Sequence, residues 1–167
     1  MGIPNGYQGF NWSATFFVLD PSAGGFAGSG YQNTLVSGEN VAFTADANSV
    51  SMSDGLFDFD GVFMSAAWRD GVSVRVQGFL GAVNLFSQTV VANHTGPTFY
   101  AFNWAGIDSL VFTPIDSGIE VDGLTGSGFH IAFDNLQVNS VPEPATLLLL
   151  GSGLVAAGVR RRLKKRV

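Results

Sequence analysis

Cysteine is absent from the 167 residues, and this absence excludes disulfide bonds, thiolate nucleophiles and cysteine-based metal sites together. Histidine occurs only as His94 and His130, and no His-x-x-x-His spacing indicates a zinc site. No Gly-x-Ser-x-Gly elbow singles out one serine as a nucleophile. We therefore predict that the protein is not an enzyme, that it has no catalytic residues and that it has no certain cofactor.

Basic residues are scarce in residues 1–140, where Arg69 and Arg75 stand against twelve acidic residues. An acidic surface of this kind cannot release the counterions that drive sequence-independent nucleic-acid binding, so we expect no nucleic-acid partner. The other basic residues all lie in the last eight positions: Arg160, Arg161, Arg162, Lys164, Lys165 and Arg166. The charge thus divides the chain into an acidic domain, residues 1–140, and a C-terminal segment, residues 141–167.

The first residues, 1–7, have neither the basic n-region nor the apolar h-region of a secretory signal. We expect that this chain contains no N-terminal signal peptide. If the protein is exported, we expect its signal to be missing from these 167 residues.

The pattern of residues 1–140 is typical of short strands and turns. Val72, Val74 and Val76 alternate with polar residues, which predicts a strand with one buried face. Asp-Gly, a dipeptide favoured in tight turns, occurs at 54–55, 60–61, 70–71 and 122–123. No apolar stripe with helical spacing occurs in these residues. We predict an all-β, antiparallel, jelly-roll-like β-sandwich of about eight to ten strands. The strongest single hairpin prediction is 68–72, with Asp70-Gly71 as its turn.

The last predicted strand changes phase at Asp134-Asn135. Phe129, Ile131 and Phe133 occupy odd positions, whereas the apolar residues that follow occupy even ones. A one-residue change of phase is the signature of a β-bulge, which redirects side chains. The side-chain oxygens of Asp134 and Asn135 could bond their own backbone, or they could contribute to a structural Ca²⁺ site.

Asp58 and Asp60 share one face of a predicted strand, about 7 Å apart. Such a pair is a solvated strand face in most proteins, but it could also contact calcium or a sugar. A glycoside hydrolase or lyase would require the two carboxylates to act as an acid and base pair across a cleft.

Aromatic residues are the other candidate for ligand contact, because flat apolar rings with a polar edge stack well on sugars. We consider Trp12, Trp68 and Trp104 first, and Tyr7, Tyr31 and Tyr100 after them. The alternative for each tryptophan is packing in the core.

The C-terminal segment begins with Val141, Pro142, Glu143 and Pro144, which end the last strand. An apolar run over 145–159 follows and predicts a short transmembrane helix of about 22 Å, less than the hydrocarbon core of about 30 Å. The basic cluster at 160–166 would stop transfer and remain cytoplasmic, which places residues 1–140 on the opposite side.

A Pro-Glu-Pro motif, a short apolar span and a terminal arginine-rich cluster, in this order, resemble the PEP-CTERM sorting signal of Gram-negative bacteria. The resemblance implies that an exosortase recognises Pro142, Glu143 and Pro144 and cleaves nearby. The protein would then pass transiently through the inner membrane to the cell surface or extracellular matrix. The acidic domain also resembles the jelly-roll domains found ahead of this signal, with Ile3-Pro4-Asn5-Gly6-Tyr7 at its start and Phe133-Asp134-Asn135-Leu136 at its end.

From this resemblance we expect a non-enzymatic surface or matrix protein, associated with exopolysaccharide or biofilm. Two alternatives remain open. One is a carbohydrate-binding module, and the other is a glycoside hydrolase or lyase.

Overall fold

The computed structural model describes residues 1–141. In this part the chain forms ten strands, a 3-10 turn at Tyr7–Gly9 and one short helix, α1, at Gly30–Thr34. The strands are β1 Asn11–Trp12, β2 Phe16–Leu19, β3 Val41–Thr44, β4 Val50–Ala66, β5 Arg69–Asp70, β6 Val72–Leu80, β7 Val83–Ala92, β8 Thr98–Asp116, β9 Ile119–Glu120 and β10 Ile131–Ser140. The predicted helix at 145–159 lies outside the described residues.

The strands form one large sheet in the order β2-β3-β10-β4-β8-β6-β7, with β1 paired to β4 beside this path. Strands β5 and β9 make a separate two-stranded sheet. All pairings between named strands of residues 1–141 are antiparallel. The prediction of an all-β antiparallel body is therefore confirmed, and its jelly-roll connectivity stays a prediction.

Strand β6 shows why the alternating pattern was informative. Val72, Val74 and Val76 are fully buried, while Ser73 is half-buried and Arg75 is exposed. Successive side chains of a strand point to opposite faces, so this alternation places one face of β6 in the core.

Two strands are much longer than the predicted ones. Asp54-Gly55 does not reverse the chain but continues β4, because Asp54 takes a φ of 140° and the register shifts locally. Strand β4 therefore runs through two of the Asp-Gly dipeptides that indicated turns, at 54–55 and 60–61, and β8 is a second long strand, over 98–116. Bulges bend and twist a strand, so both long strands can follow a curved sheet.

The curved sheet folds back on itself around a main core, which makes the body sandwich-like. This core contains buried residues of β4, β6, β7, β8 and β10, including Phe57, Phe59, Leu110 and Phe133. A smaller core under α1 contains Tyr31, Val41, Ala67, Trp68 and Ala132.

The predicted hairpin at 68–72 is wrong. Strand β5 pairs with β9, and β6 pairs with β7 and β8. The turn is instead fixed by another loop: the Asp70 carboxylate accepts the His94 backbone N–H at 2.8 Å, and the Gly71 N–H is donated to Asn93 Oδ1 at 2.8 Å. A local turn signal cannot indicate such long-range partners.

The predicted bulge in the last strand is confirmed. The pairing of β10 with β4 shifts register between Asp134 and Gln137, and Asn135 has a left-handed φ of 46°. The bulge places Asp134, Asn135, Leu136 and Val138 beside the N-terminal residues, where they line a cleft.

Candidate functional site

An open cleft of about 910 Å³ lies between the N-terminal residues, β2, the loop before β3, and the bulged part of β10. Its floor is apolar because Phe10, Phe16, Met52 and Phe133, all buried core residues, line it. Polar side chains occupy much of the rest of the lining, including Gln8, Asp20, Ser37, Glu39, Asn40, Asp134 and Asn135. Binding pockets commonly combine an apolar lining with a few convergent polar groups.

Two further aromatic residues, Tyr7 and Trp12, lie side by side in the lining of the cleft. Tyr7 is 54% exposed, and its ring centroid lies 6.4 Å from that of the half-buried Trp12. Trp12 is held in place because its backbone N–H is donated to Asn5 Oδ1 at 2.8 Å and its Nε1–H to the Tyr7 carbonyl at 2.9 Å. Its ring also packs edge-on against Phe16, with centroids 5.4 Å apart.

The bulge residues have well-defined partners. Asp134 Oδ2 accepts the N–H groups of Val36 and Ser37 at 2.7 and 2.9 Å, and Oδ1 accepts the N–H of Asn135 at 2.7 Å. The Ser37 hydroxyl is donated to Asn135 Oδ1 at 2.6 Å. Asp134 thus attaches the 36–37 loop to β10 and shapes one wall of the cleft.

The cleft is acidic. Asp20, Glu39 and Asp134 line it, and no Lys, Arg or His side chain of residues 1–141 does so. Hydrogen bonds from the side chain and backbone of Ser22 lower the pKa of Asp20, so this carboxyl is ionised at neutral pH.

The other two tryptophans named from the sequence lie in the core. Trp104 is 7% exposed and packs among Phe59, Phe86 and Phe102. Trp68 is 6% exposed and contacts the ring of Tyr31 edge-on. Of the three candidates, only Trp12 reaches the cleft.

Asp58 and Asp60 are half-buried on β4 and are absent from the lining of the cleft. Asp58 Oδ1 accepts the Gly106 N–H at 2.8 Å, and Asp60 Oδ2 accepts the Asn139 side-chain amide at 2.8 Å. Each carboxylate therefore fastens β4 to its neighbouring strand.

The four oxygen-bearing residues considered for calcium lie at two places. Asp134 pairs with Phe63 in the sheet, whereas Asp58 pairs with Asn139. Within residues 1–141 no group of three or more His, Asp or Glu side chains is arranged to hold a metal ion. The calcium site stays a prediction.

Each histidine has an aspartate partner that sequence reasoning missed. His94 Nδ1 lies 2.8 Å from Asp70 Oδ1, and His130 Nε2 lies 3.1 Å from Asp46 Oδ1. Nδ1 of His130 also hydrogen-bonds to the buried Tyr31 hydroxyl at 2.6 Å. These partners are 24 to 99 residues apart along the chain, so no local spacing reveals them.

Pro142, Glu143, Pro144 and the basic cluster at 160–166 lie outside the described residues. The last described residue, Val141, donates its N–H to the Leu56 carbonyl at 2.9 Å. Among the helices of residues 1–141, none has the length and apolar character that crossing a bilayer requires.

Comparison with protein families finds a PEP-CTERM protein-sorting motif at residues 140–162. This match contains Val141, Pro142, Glu143, Pro144 and the first three basic residues of the cluster. The chain therefore carries the sorting motif that its C-terminal segment resembles. No curated protein matches the chain.

Among solved structures, the body is similar to TmCBM61 in complex with β-1,4-galactotriose. The similarity covers 83% of this chain and 95% of that one, with a TM-score of 0.41 and 13% sequence identity. At this level the similarity does not bear on what the cleft binds.

Proposed function

We propose that this chain is a non-enzymatic, exported protein that an exosortase sorts to the cell surface or extracellular matrix of a Gram-negative bacterium. The observation that carries the proposal is the PEP-CTERM motif at residues 140–162. The apolar residues 145–159 would hold the chain in the inner membrane, with the basic residues 160–166 on the cytoplasmic side. The jelly-roll-like body would be the cargo that is released or transferred.

The end of β10 supports cleavage after the folded body. Strand β10 lies between β3 and β4, Ser140 pairs with Phe57, and Val141 still donates a backbone hydrogen bond to β4. A cut inside β10 would remove part of a central strand and leave its neighbours unpaired. We therefore expect mass spectrometry of the mature protein from its native host to place the C-terminus at or beyond Ser140. A mature chain that ends within 131–139 would contradict cleavage after the folded body.

Replacement of Pro142, Glu143 and Pro144 by alanine tests the sorting step. The variant should accumulate at full length in the inner membrane, as measured by cell fractionation and immunoblotting. Ser22→Ala with Gly24→Ala, in an exposed loop, is the matched control and should reach the surface normally. If the motif variant reached the surface at the normal processed size, exosortase sorting would be refuted.

The cleft favours a second function, carbohydrate binding by the mature body. The supporting observation is the pair Tyr7 and Trp12 beside a polar lining, since aromatic faces with nearby hydrogen-bonding groups suit sugar rings. Exopolysaccharide of the producing cell would then be the partner. Pull-down of the full chain with isolated host polysaccharide tests this function, and absence of binding to any polysaccharide would refute it.

Catalysis on a polysaccharide has no comparable support. A glycoside hydrolase or lyase would have to lose its turnover in Asp58→Asn or Asp60→Asn. Both carboxylates instead bond neighbouring strands away from the cleft.

A further inference from the structure

We infer that the cleft binds an uncharged glycan chain, with Tyr7 as the stacking face, and that it rejects uronic-acid polymers. This inference rests on the second proposed function, carbohydrate binding. It adds the location of the site and the charge class of the sugar.

The stacking face, Tyr7, is exposed, and the aromatic residue beside it, Trp12, is preorganised. More than half of Tyr7 is open to solvent, while Trp12 beside it is fixed by two hydrogen bonds and an edge-on contact with Phe16. A rigid aromatic surface loses little conformational entropy on binding, so most of the stacking energy is retained.

The backbone is strained at two places around the same cleft. Gln8 and Asn135 both line it, and both are non-glycine residues with left-handed φ angles, 54° and 46°. Such conformations persist only where the surrounding structure enforces them, and they are concentrated at ligand sites. In this cleft they set the course of the Tyr7 turn and of the β10 bulge, which are two walls of it.

The charge of the lining selects the sugar. Asp20, Glu39 and Asp134 are acceptors without a Lys, Arg or His side chain of residues 1–141 among them. Sugar hydroxyl groups can donate charge-assisted hydrogen bonds to such carboxylates. The carboxylate of a uronic acid would instead meet three carboxylates and one cation, the Met1 ammonium, which already donates a hydrogen bond to the Val18 carbonyl at 2.9 Å. The excess of like charge opposes binding.

The three carboxylates differ in how many further hydrogen bonds they can accept. Asp134 already accepts three N–H groups, and Asp20 Oδ1 accepts the Ser22 N–H at 2.8 Å. Glu39, which is exposed, is therefore the acceptor most open to a sugar hydroxyl, and the second oxygen of Asp20 follows it.

The size of the cleft fits more than one sugar ring. Its volume of about 910 Å³ is close to the upper end of the range for small-molecule pockets, about 300 to 1,000 Å³. Because the cleft is open rather than enclosed, it suits a segment within a polymer.

The test is binding of the full chain, in mild detergent, to neutral polymers (galactan, glucan, mannan and xylan) and to the uronates polygalacturonate and alginate. We expect binding to at least one neutral polymer and to neither uronate. Tyr7→Ala should weaken that binding about tenfold or more, the effect of losing roughly 1.4 kcal/mol of stacking. Phe99→Ala is the matched control, because Phe99 is 39% exposed but lies outside the cleft, and it should bind normally.

A charge variant separately tests the discrimination between neutral polymers and uronates. Glu39→Lys should raise uronate binding relative to the unmodified chain, since it places a cation in the lining. Three outcomes would overturn the inference: neutral binding that Tyr7→Ala leaves intact, a preference for uronates in the unmodified chain, or Glu39→Lys without effect on uronate binding. In each of these, carbohydrate binding itself would stand. Failure of every polymer to bind would refute carbohydrate binding as well, and would leave the sorting proposal untouched.

Discussion

The indole of Trp104 stacks on the ring of Phe86, with ring centroids 5.3 Å apart and planes inclined by 8°. Trp104 lies on β8 and Phe86 on β7, and these strands are not hydrogen-bonded neighbours in the sheet. The contact therefore joins two parts of the curved sheet through side chains alone. Gly78 makes room for it, since a Cβ there would lie 3.1 Å from Trp104 and Ile107.

Trp104→Ala should lower the free energy of unfolding by about 3 to 5 kcal/mol, the range for truncating a large buried aromatic residue. Urea unfolding followed by circular dichroism measures this. Tyr7→Ala, which truncates an exposed ring, is the control and should change stability by about 0.5 kcal/mol or less. A Trp104 variant as stable as the control would contradict the structural role that we assign to this residue.

Tyr31 should make stability depend on alkaline pH. Burial, with a smaller contribution from the charge of Asp46, raises the pKa of the Tyr31 hydroxyl above its usual value. The folded state therefore favours the neutral phenol, and the resulting stability is complete below the unfolded pKa of about 10 and declines as pH rises above it. Urea midpoints between pH 8 and 11 should fall less steeply for Tyr31→Phe than for the unmodified chain. Tyr7→Phe is the control, and an unchanged slope in Tyr31→Phe would count against the effect.

Asp70 should make stability depend on acidic pH. Burial alone would raise the pKa of Asp70, but hydrogen bonds from the His94 side chain and backbone outweigh it and lower the pKa below its usual value. The stability from this carboxylate is present above the unfolded pKa of about 3.9 and is lost as pH falls through the lower folded value. Asp70→Asn should flatten the decline of the urea midpoint below about pH 4. The exposed Asp122→Asn is the control; equal slopes in both variants would refute the assignment.

The predicted calcium site gives a melting experiment. If Asp134 and Asn135 bind Ca²⁺, millimolar Ca²⁺ should raise the melting temperature relative to chelator, because a ligand of the folded state stabilises it. Asp134→Ala should abolish this difference in melting temperature. Asp58→Ala shows whether Asp58 and Asp60 contribute to it. A melting curve that does not respond to Ca²⁺ would exclude this site. Loss of the loop contacts should lower the baseline stability of Asp134→Ala by about 1 to 3 kcal/mol in either case.

Local pattern was sufficient for some features and insufficient for others. The phase change at Asp134-Asn135 predicted the bulge because alternation is a property of neighbouring residues. Asp-Gly at 54–55 did not by itself predict the local structure that it forms, because the same dipeptide can close a turn or continue a bulged strand. The partners across the sheet decided which of the two formed.

The candidate site could be only partly predicted for the same reason. Trp12 was named for its chemistry, but so were Trp68 and Trp104, which are buried in the two cores. No sequence pattern indicated Glu39 as a site residue, since an acidic residue in a loop does not reveal which groups it will face.

The amino-acid sequence by itself determined the all-β class, the acidic character of residues 1–140 and the sorting motif, because these depend on composition and on residues that are close together in the chain. Only the tertiary structure decided the pairing of the strands, the burial of two tryptophans and the gathering of Tyr7, Trp12, Glu39 and Asn135 around one cleft. These residues are separated by up to 128 positions, and packing of the sheet brings them together.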